Sequence, residues 1–197
     1  MNCWYPAGRS TDIIGTPVRR RMLAQDFVLW RDGTGQAHCL ANTCTHRGGS
    51  LSGGKIKGDC IQCPYHGWQF DGAGNCTRIP SLGSSASIPG RTRIDAYPVD
   101  ERYGLIFAFL GDLPEAERPP ILAVKEWEQV GWRSTLQHFQ INGYYERSIE
   151  NGLDPAHNEF VHPTHGHQGT NRDTYRTKDY ETTDHRQGWG FWFMHQF

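Results

Sequence analysis

Short apolar segments separated by turn-forming residues fill the first half of the chain. Residues 27–30 (Phe-Val-Leu-Trp) are followed by Arg-Asp-Gly-Thr-Gly, and residues 68–70 (Trp-Gln-Phe) are followed by Asp-Gly-Ala-Gly-Asn. Each pattern is typical of a β-strand that enters a hairpin turn. The apolar run at 105–110 ends at Gly111 and predicts one more buried strand. Together these segments predict a small, mostly β domain over residues 1–112.

The pattern changes after this region. Residues 113–120 are polar and rich in proline, which is typical of an exposed linker. A second domain is expected to begin at residue 121. Because few residues remain between 121 and 197, this domain lacks the length to close a core, and we expect it to be incomplete.

The second region contains helix-like and strand-like segments. Residues 142–150 have helix-compatible side chains, and Asn151-Gly152 is expected to interrupt the helix. Asp154 is suited to cap a following helix, and Pro155 is suited to its first position. Residues 188–194 are mainly aromatic and predict a strand. The predicted fold class is therefore α+β, with the all-β domain first.

Composition narrows the classes of function. The 197 residues carry 20 Lys and Arg against 21 Asp and Glu, a net charge of −1, so no overall field attracts nucleic acid or an anionic membrane. No apolar run is long enough to span a bilayer, and the first residues lack the features of a secretory signal. A cytoplasmic location is expected. There the six cysteines are expected to be thiols or metal ligands rather than disulfides.

Two Cys-His pairs form a candidate metal site in the β region. Cys44 and His46 are separated by sixteen residues from Cys63 and His66. Two thiolates and two imidazoles can hold one tetrahedral zinc, or a 2Fe-2S cluster with both cysteines on one iron and both histidines on the other. A zinc finger tends to group its cysteines and its histidines separately, whereas each segment here has one of each, which favours the cluster. A zinc site remains an alternative, because Cys60 forms a C-x-x-C with Cys63 and is a further candidate ligand.

A second candidate site lies in the α+β region. His157 and His162 stand close to carboxylates and are of the type found in the facial triad of non-haem Fe(II) enzymes. Five residues correspond to about 140° around a regular helix, so the two rings converge only if the helix distorts or ends between them. Pro163 favours such an ending. From the residues alone, a structural role for these histidines is equally consistent.

In combination, the two segments resemble the α subunits of Rieske non-haem iron oxygenases, which include aromatic ring hydroxylases and O- or N-demethylases. The first motif is Cys-x-His, sixteen residues, Cys-x-x-His, with Arg47-Gly48 and Gly67-Trp68 after its two halves. The second is Asn-x-x-Asp-x-x-His-x-x-x-x-His from residue 151. The resemblance implies a Rieske 2Fe-2S cluster held by Cys44, His46, Cys63 and His66.

The same resemblance assigns roles in the second segment. His157 and His162 are implied to bind a mononuclear Fe(II). Asp154 is implied to bridge His157 and His66 of the partner subunit, and Asn151 to lie near the iron. The family's third ligand is an aspartate further along, outside this chain. We interpret the remaining candidates as surface groups: Asp173, Asp179 and Asp184, with His165 and His167 in a solvated loop.

The implied fold is a Rieske domain followed by the beginning of a helix-grip-like catalytic domain. The implied function is that of a terminal oxygenase component, a mono- or dioxygenase of aromatic catabolism in which electrons pass from the cluster to Fe(II). NAD(P)H acts indirectly, through a flavin reductase and/or ferredoxin, and O₂ is used to hydroxylate or demethylate a small aromatic-type substrate. A homotrimer is implied.

Three further hypotheses remain. The chain can instead be a Rieske-type electron-transfer protein without a catalytic iron, which the missing aspartate favours, or a zinc-stabilised interaction module. A basic rim formed by Arg19–Arg21, Arg47, Lys55 and Lys57 is suited to dock an acidic ferredoxin or reductase, although a solvated strand face explains these charges equally well.

Overall fold

The computed structural model describes residues 2–154, 156–162, 173–174, 182–184 and 191–193. The chain divides into two compact units, Met1–Leu122 and Ala123–Phe197. The first unit consists of strands and short 3₁₀ turns, and the α-helices of the described residues lie in the second. No helix in the described ranges has the length and apolar character needed to cross a membrane.

The strands of the first unit form three antiparallel sheets, of order β1-β11-β10, β2-β3-β4-β9 and β5-β6-β7-β8. In chain order they are β1 (Cys3–Arg9), β2 (Val18–Met22), β3 (Gln25–Arg31), β4 (Ala37–Ala41), β5 (Lys55–Lys57), β6 (Cys60–Gln62), β7 (Gln69–Phe70), β8 (Cys76–Arg78), β9 (Ala96–Tyr97), β10 (Val99–Arg102) and β11 (Leu105–Leu110). The expected all-β domain is confirmed, and β11 coincides with the predicted buried strand.

Strand β3 separates two apolar clusters. Successive side chains of a strand point to opposite faces, so Val28 and Trp30 pack into one cluster while Phe27 and Leu29 pack into the other. All four are almost fully buried. The Val28 and Trp30 cluster also contains the thiols of the candidate metal site, which therefore rests directly on the core.

Both predicted hairpin turns are confirmed, one between β3 and β4 and one between β7 and β8. In each turn an aspartate, Asp32 or Asp71, accepts hydrogen bonds from the main-chain N–H groups two and four residues later, at 2.8–3.0 Å. The second turn also contacts strand β4, because the ring of His38 lies against Gly72 and leaves no room there for a Cβ atom. His38 Nε2 lies 2.8 Å from Asp32 Oδ2, which fixes the ring in this position.

Asp32→Asn is expected to reduce stability at neutral pH and to flatten its dependence on acid. The hydrogen bonds from His38 and Thr34 hold the pKa of the Asp32 carboxyl well below its ordinary value. A depressed pKa contributes stability above the unfolded-state value, about 3.9, and that contribution is lost as the pH falls towards the folded-state pKa. Losing hydrogen bonds to a charged acceptor should cost about 1–2 kcal/mol at pH 7. Urea unfolding at several pH values measures this, and Asp71→Asn controls for the turn itself.

The second unit contains α1 (Tyr145–Leu153), α2 (Asn158–Val161) and a two-stranded antiparallel ladder of β12 (Thr182–Asp184) and β13 (Phe191–Phe193). The α+β class is therefore confirmed for the chain. The expected interruption at Asn151-Gly152 is wrong, because α1 continues through both residues. Asp154 ends α1 rather than beginning the next helix, and its N–H donates to Glu150 O at 3.0 Å.

Candidate metal centres

Two loops of the first unit carry the first set of predicted ligands. Residues 42–50, after β4, hold Cys44 and His46, and residues 63–68, between β6 and β7, hold Cys63 and His66. Both loops rise from the same apolar cluster, which contains the two cysteines. The two loops that carry the predicted ligands are thus anchored in the same cluster.

The two loops close in the same way. Gly48 N donates to Cys44 O at 2.9 Å, and Cys44 N donates to Gly49 O at 2.9 Å. In the second loop, Gly67 N donates to Cys63 O at 3.1 Å, and Cys63 N donates to Trp68 O at 2.8 Å. The residue four positions after each cysteine has a positive φ, +70° at Gly48 and +74° at Gly67, a conformation that favours glycine. The glycines after each Cys-His pair are therefore required by the loop itself.

The two thiols lie together inside this site. Cys44 and Cys63 are 2% and 3% exposed, and both lie in the same apolar cluster, close enough for Cys63 to raise the pKa of the Cys44 thiol. Burial raises the pKa of the Cys44 thiol to about 11, against the opposing effect of main-chain N–H groups of His46 and Arg47 that point at its sulfur. A Cβ atom on Gly49 would stand 2.9 Å from Cys63 Sγ. The main chain thus leaves space and donors around paired sulfurs.

The two imidazoles form a second pair. The ring centroids of His46 and His66 lie 4.5 Å apart, and His46 stacks on Trp68 at 4.4 Å with an interplanar angle of 3°. His46 Nδ1 is buried and has no hydrogen-bond partner among the described residues. Burial, with the nearby positive charges of His66 and Arg47, lowers the pKa of His46. A neutral imidazole with an unpartnered buried nitrogen is suited to bind a metal.

This arrangement fits a two-iron cluster better than one zinc ion. In the described part of the chain, no three His, Cys, Asp or Glu side chains are close enough to share a metal. A tetrahedral zinc needs four ligands around one point, whereas a Rieske cluster needs a cysteine pair and a histidine pair. Cys60 Sγ lies 3.3 Å from Thr77 Oγ1, so this third candidate thiol has a partner in β8. The donor set therefore fits 2Fe-2S.

Asn42 supports the first loop and was not predicted from the sequence. Its side chain, in a residue only 5% exposed, donates from Nδ2 to Ser50 Oγ at 3.0 Å and accepts from Ser52 N at 2.7 Å. These bonds join the two ends of the loop. A single asparagine after an apolar strand gives no sequence signal of such a role, because its partners come from the folded loop.

In the second unit, α2 brings His157 and His162 together. This helix is a single turn, in which His162 N donates to Asn158 O at 3.2 Å. His157 precedes it and His162 follows it in an extended conformation, so the 140° separation of a regular helix does not apply. The ring centroids lie 5.2 Å apart. The two imidazole rings therefore converge, as binding to a single metal ion requires.

Asp154 lies beside the first of these rings. Its Oδ2 is 3.8 Å from His157 Nδ1, a nitrogen that is buried and has no hydrogen-bond partner in the described ranges. Its Oδ1 accepts a hydrogen bond from Ala156 N at 2.9 Å, which holds the carboxylate at this turn. Asp154 is thus placed to accept a hydrogen bond from His157 Nδ1 after a small movement of either side chain.

A cavity of about 270 Å³ joins the predicted residues of this unit. Its lining includes Asn151, Asp154, His157, Asn158 and His162. All the candidates proposed here from the sequence therefore face one space. Asn158 was not predicted, although it lies within the same segment and adds a second amide to the cavity.

The carboxylates and histidines that were interpreted as surface groups provide no further metal ligand among the described residues. Asp173 is exposed at a turn, and Asp184 is the last residue of β12. Asp179, His165 and His167 lie outside the described residues.

The predicted basic rim separates into two groups. Arg19 and Arg21 pair with Asp26 at 2.6 and 3.8 Å, and Arg20 donates to Ala7 O at 3.0 Å. These arginines are bound within the β1–β3 region. The other members are exposed: Arg47, Lys55 and Lys57.

A family model matches part of the chain. The model for the Rieske 2Fe-2S domain covers residues 3–98, which include both cluster-type loops.

Curated relatives extend the similarity beyond that domain. The toluene-4-sulfonate monooxygenase system iron-sulfur subunit TsaM1 of Comamonas testosteroni is 35% identical over 164 residues, 83% of this chain and 46% of that protein. The 5,5'-dehydrodivanillate O-demethylase oxygenase subunit of Sphingobium sp. is 32% identical over 167 residues, 81% of this chain and 38% of that protein. The chain therefore spans less than half the length of these relatives.

A solved structure matches both units. NdmA of Pseudomonas putida CBB5 has a TM-score of 0.77 and 25% identity, and the match covers 92% of this chain and 55% of that one.

Proposed function

Since the chain belongs to the Rieske oxygenases, with a Rieske 2Fe-2S domain at residues 3–98, we propose that it acts as a terminal oxygenase component. It uses O₂ to hydroxylate or oxidatively demethylate a small aromatic substrate. The names of the relatives support this substrate class, since toluene-4-sulfonate and dehydrodivanillate are aromatic. Electrons come from NAD(P)H through a flavin reductase, with or without a ferredoxin.

The observation that carries the proposal is the cavity at His157 and His162. An electron carrier needs only the cluster site, whereas an oxygenase also needs a place where O₂ and substrate meet a metal. The two rings face one cavity with Asn151 and Asp154, although no regular helix would bring them together.

The donor sets indicate which group each site would hold. Cys44, Cys63, His46 and His66 would hold a Rieske cluster, and His157 and His162 would hold a mononuclear Fe(II) together with a ligand outside the described residues. When bound, the cluster supplies single electrons and the Fe(II) supplies oxygen activation.

The side chains around these groups have their own tasks. Trp68 holds the plane of His46 by stacking, and the buried core beneath the loops keeps water from the sulfurs. Asp154 favours a proton on His157 Nδ1 and leaves the other ring nitrogen as a ligand. In an assembled homotrimer the same carboxylate meets His66 of the partner subunit, which places the two metal sites in electronic contact.

The metal content of the full chain tests the proposal. We expect three irons per chain, two in the cluster and one mononuclear. His157→Ala should lose one iron and retain the EPR signal of the reduced cluster. His138→Ala, at an exposed histidine of the same unit, is the matched control and should retain all three. A wild-type chain with two irons, unchanged in His157→Ala, would instead identify a Rieske electron carrier.

A further inference from the structure

The outer face of the β5–β8 sheet is polar and basic. Ile56, Ile61, Phe70 and Cys76 pair across the sheet and contribute to the core or pack against it. The residues that alternate with Ile56, Ile61 and Phe70 point outwards, and Arg78 is exposed at the register shift between β7 and β8. Directly opposite one another on this outer side are Lys55, Gln62, Gln69 and Arg78, with Lys57 opposite Cys60.

No acidic side chain in the described part of the chain pairs with the cations of this face. Lys55, Lys57 and Arg78 are exposed and form no ion pair with any described residue. The carboxylate in the same hairpin, Asp59, accepts a hydrogen bond from Gly33 N at 3.2 Å, in the turn between β3 and β4. This differs from β2, where Asp26 lies against the arginines. The face therefore carries three uncompensated positive charges.

The same face adjoins the cluster loop. Strand β6 ends at Gln62, and the next residue is the ligand Cys63. Gln62 Nε2 approaches Gly67 O, the residue after His66, at 3.4 Å. A protein seated here thus contacts the strand that leads directly into the cluster loop, which favours electron transfer because transfer weakens steeply with distance.

A recess of mixed polarity lies at the β8 edge of the face. A cavity of about 330 Å³ is lined by Gln69 and Arg78 and by the aliphatic side chains of Ile79, Leu82 and Ile88. Leu82 is 52% exposed and offers an aliphatic side chain at the edge of this recess. Charges around a recess that holds a few aliphatic side chains are suited to a transient protein contact, in which charge orients the partner and the recess fixes it.

We propose that the outer face of β5–β8 is the docking surface for an acidic electron donor of the ferredoxin type. The inference rests on the proposed function, because there His66 faces the partner subunit and the donor must approach from another side. Carboxylates around the donor's cluster pair with Lys55, Lys57 and Arg78. Each encounter moves one electron, so the donor cluster is oxidised and the Rieske cluster is reduced.

Binding and reduction are measured with an acidic plant-type ferredoxin as the probe. Lys55→Gln/Lys57→Gln/Arg78→Gln should weaken calorimetric binding of the oxidised ferredoxin about tenfold at low salt, a difference that disappears near 1 M salt. Reduction by the reduced ferredoxin should slow in parallel, while reduction by methyl viologen radical should not. Arg19→Gln/Arg21→Gln/Arg102→Gln removes the same charge elsewhere and should leave both quantities nearly unchanged.

Three results would overturn the proposal. Equal weakening in both triple variants would assign the effect to net charge, and unchanged binding in the first would remove the face from the contact. A changed oligomeric state with unchanged binding would make the face a contact between copies of this chain. The iron count is independent of all these, so a two-iron chain that binds ferredoxin normally would disprove only the oxygenase function.

Discussion

Cys63→Ala is expected to abolish the EPR signal of the reduced cluster. Cys63 is 3% exposed and lies beside Cys44, and a cluster iron that loses one of its two thiolates has no other sulfur within the paired set. His46→Ala should have the same effect, because the stacked ring supplies one of the two imidazoles. Both variants should also lose the brown colour of the oxidised protein and bind less iron and sulfide.

Cys60→Ala is the matched control, three residues away in the same C-x-x-C. Since Cys60 Sγ contacts Thr77 Oγ1, its loss should leave the EPR signal and the colour intact. Persistence of the signal in Cys63→Ala would remove that residue from the ligand set. A colourless wild-type protein that binds zinc, and needs Cys60 to do so, would establish the zinc module instead.

Asp154→Asn is expected to retain both metals and to slow turnover about 10–100-fold, the usual cost of losing a residue that orients a metal ligand. The amide is isosteric and can still accept the hydrogen bond from Ala156 N. It lacks the negative charge that favours a proton on His157 Nδ1, 3.8 Å away. Iron content and cluster EPR report binding, and the rate of reoxidation of the reduced protein by O₂ reports transfer.

The controls separate orientation from folding. Asp173→Asn changes an exposed carboxylate of the same unit and should leave reoxidation unchanged. The rate of reoxidation should fall in Asp154→Asn alone, because only that change removes the carboxylate beside the imidazole. Normal reoxidation in Asp154→Asn would exclude the bridging role, while loss of iron would reassign Asp154 to metal retention.

The sequence predicted features whose cause is local. The turns at Asp32 and Asp71 follow from aspartates that bind the main chain of their own turn, and β11 follows from a continuous apolar run. The predicted end of α1 was wrong because it also rested on a local property, the helix propensity of single residues. A glycine such as Gly152 disfavours a helix by about 1 kcal/mol, so the sequence predicted that the helix ends there. The helix nevertheless tolerates this residue and continues to Leu153.

Features that depend on pairing between distant segments could not be predicted from the sequence. Arg21 lies directly opposite Asp26 only because β2 and β3 adopt this register, so the β2 arginines gave no sign that they were engaged. The stacking of Trp68 on His46 likewise joins two loops. The Cys and His ligands were recognisable because their spacing is itself the signal, whereas the residues that hold them have no fixed spacing.

The identical closure of the two cluster loops gives the site a means of adjustment. Each loop is held by hydrogen bonds between main-chain atoms, and its shape depends on one cysteine and one glycine. The intervening residues, Thr45, Arg47, Pro64 and Tyr65, are exposed and make none of these bonds. Substitution there can change the charge around the imidazoles, as Arg47 already does, without refolding the loop. Evolution can therefore tune the reduction potential of such a site independently of its architecture.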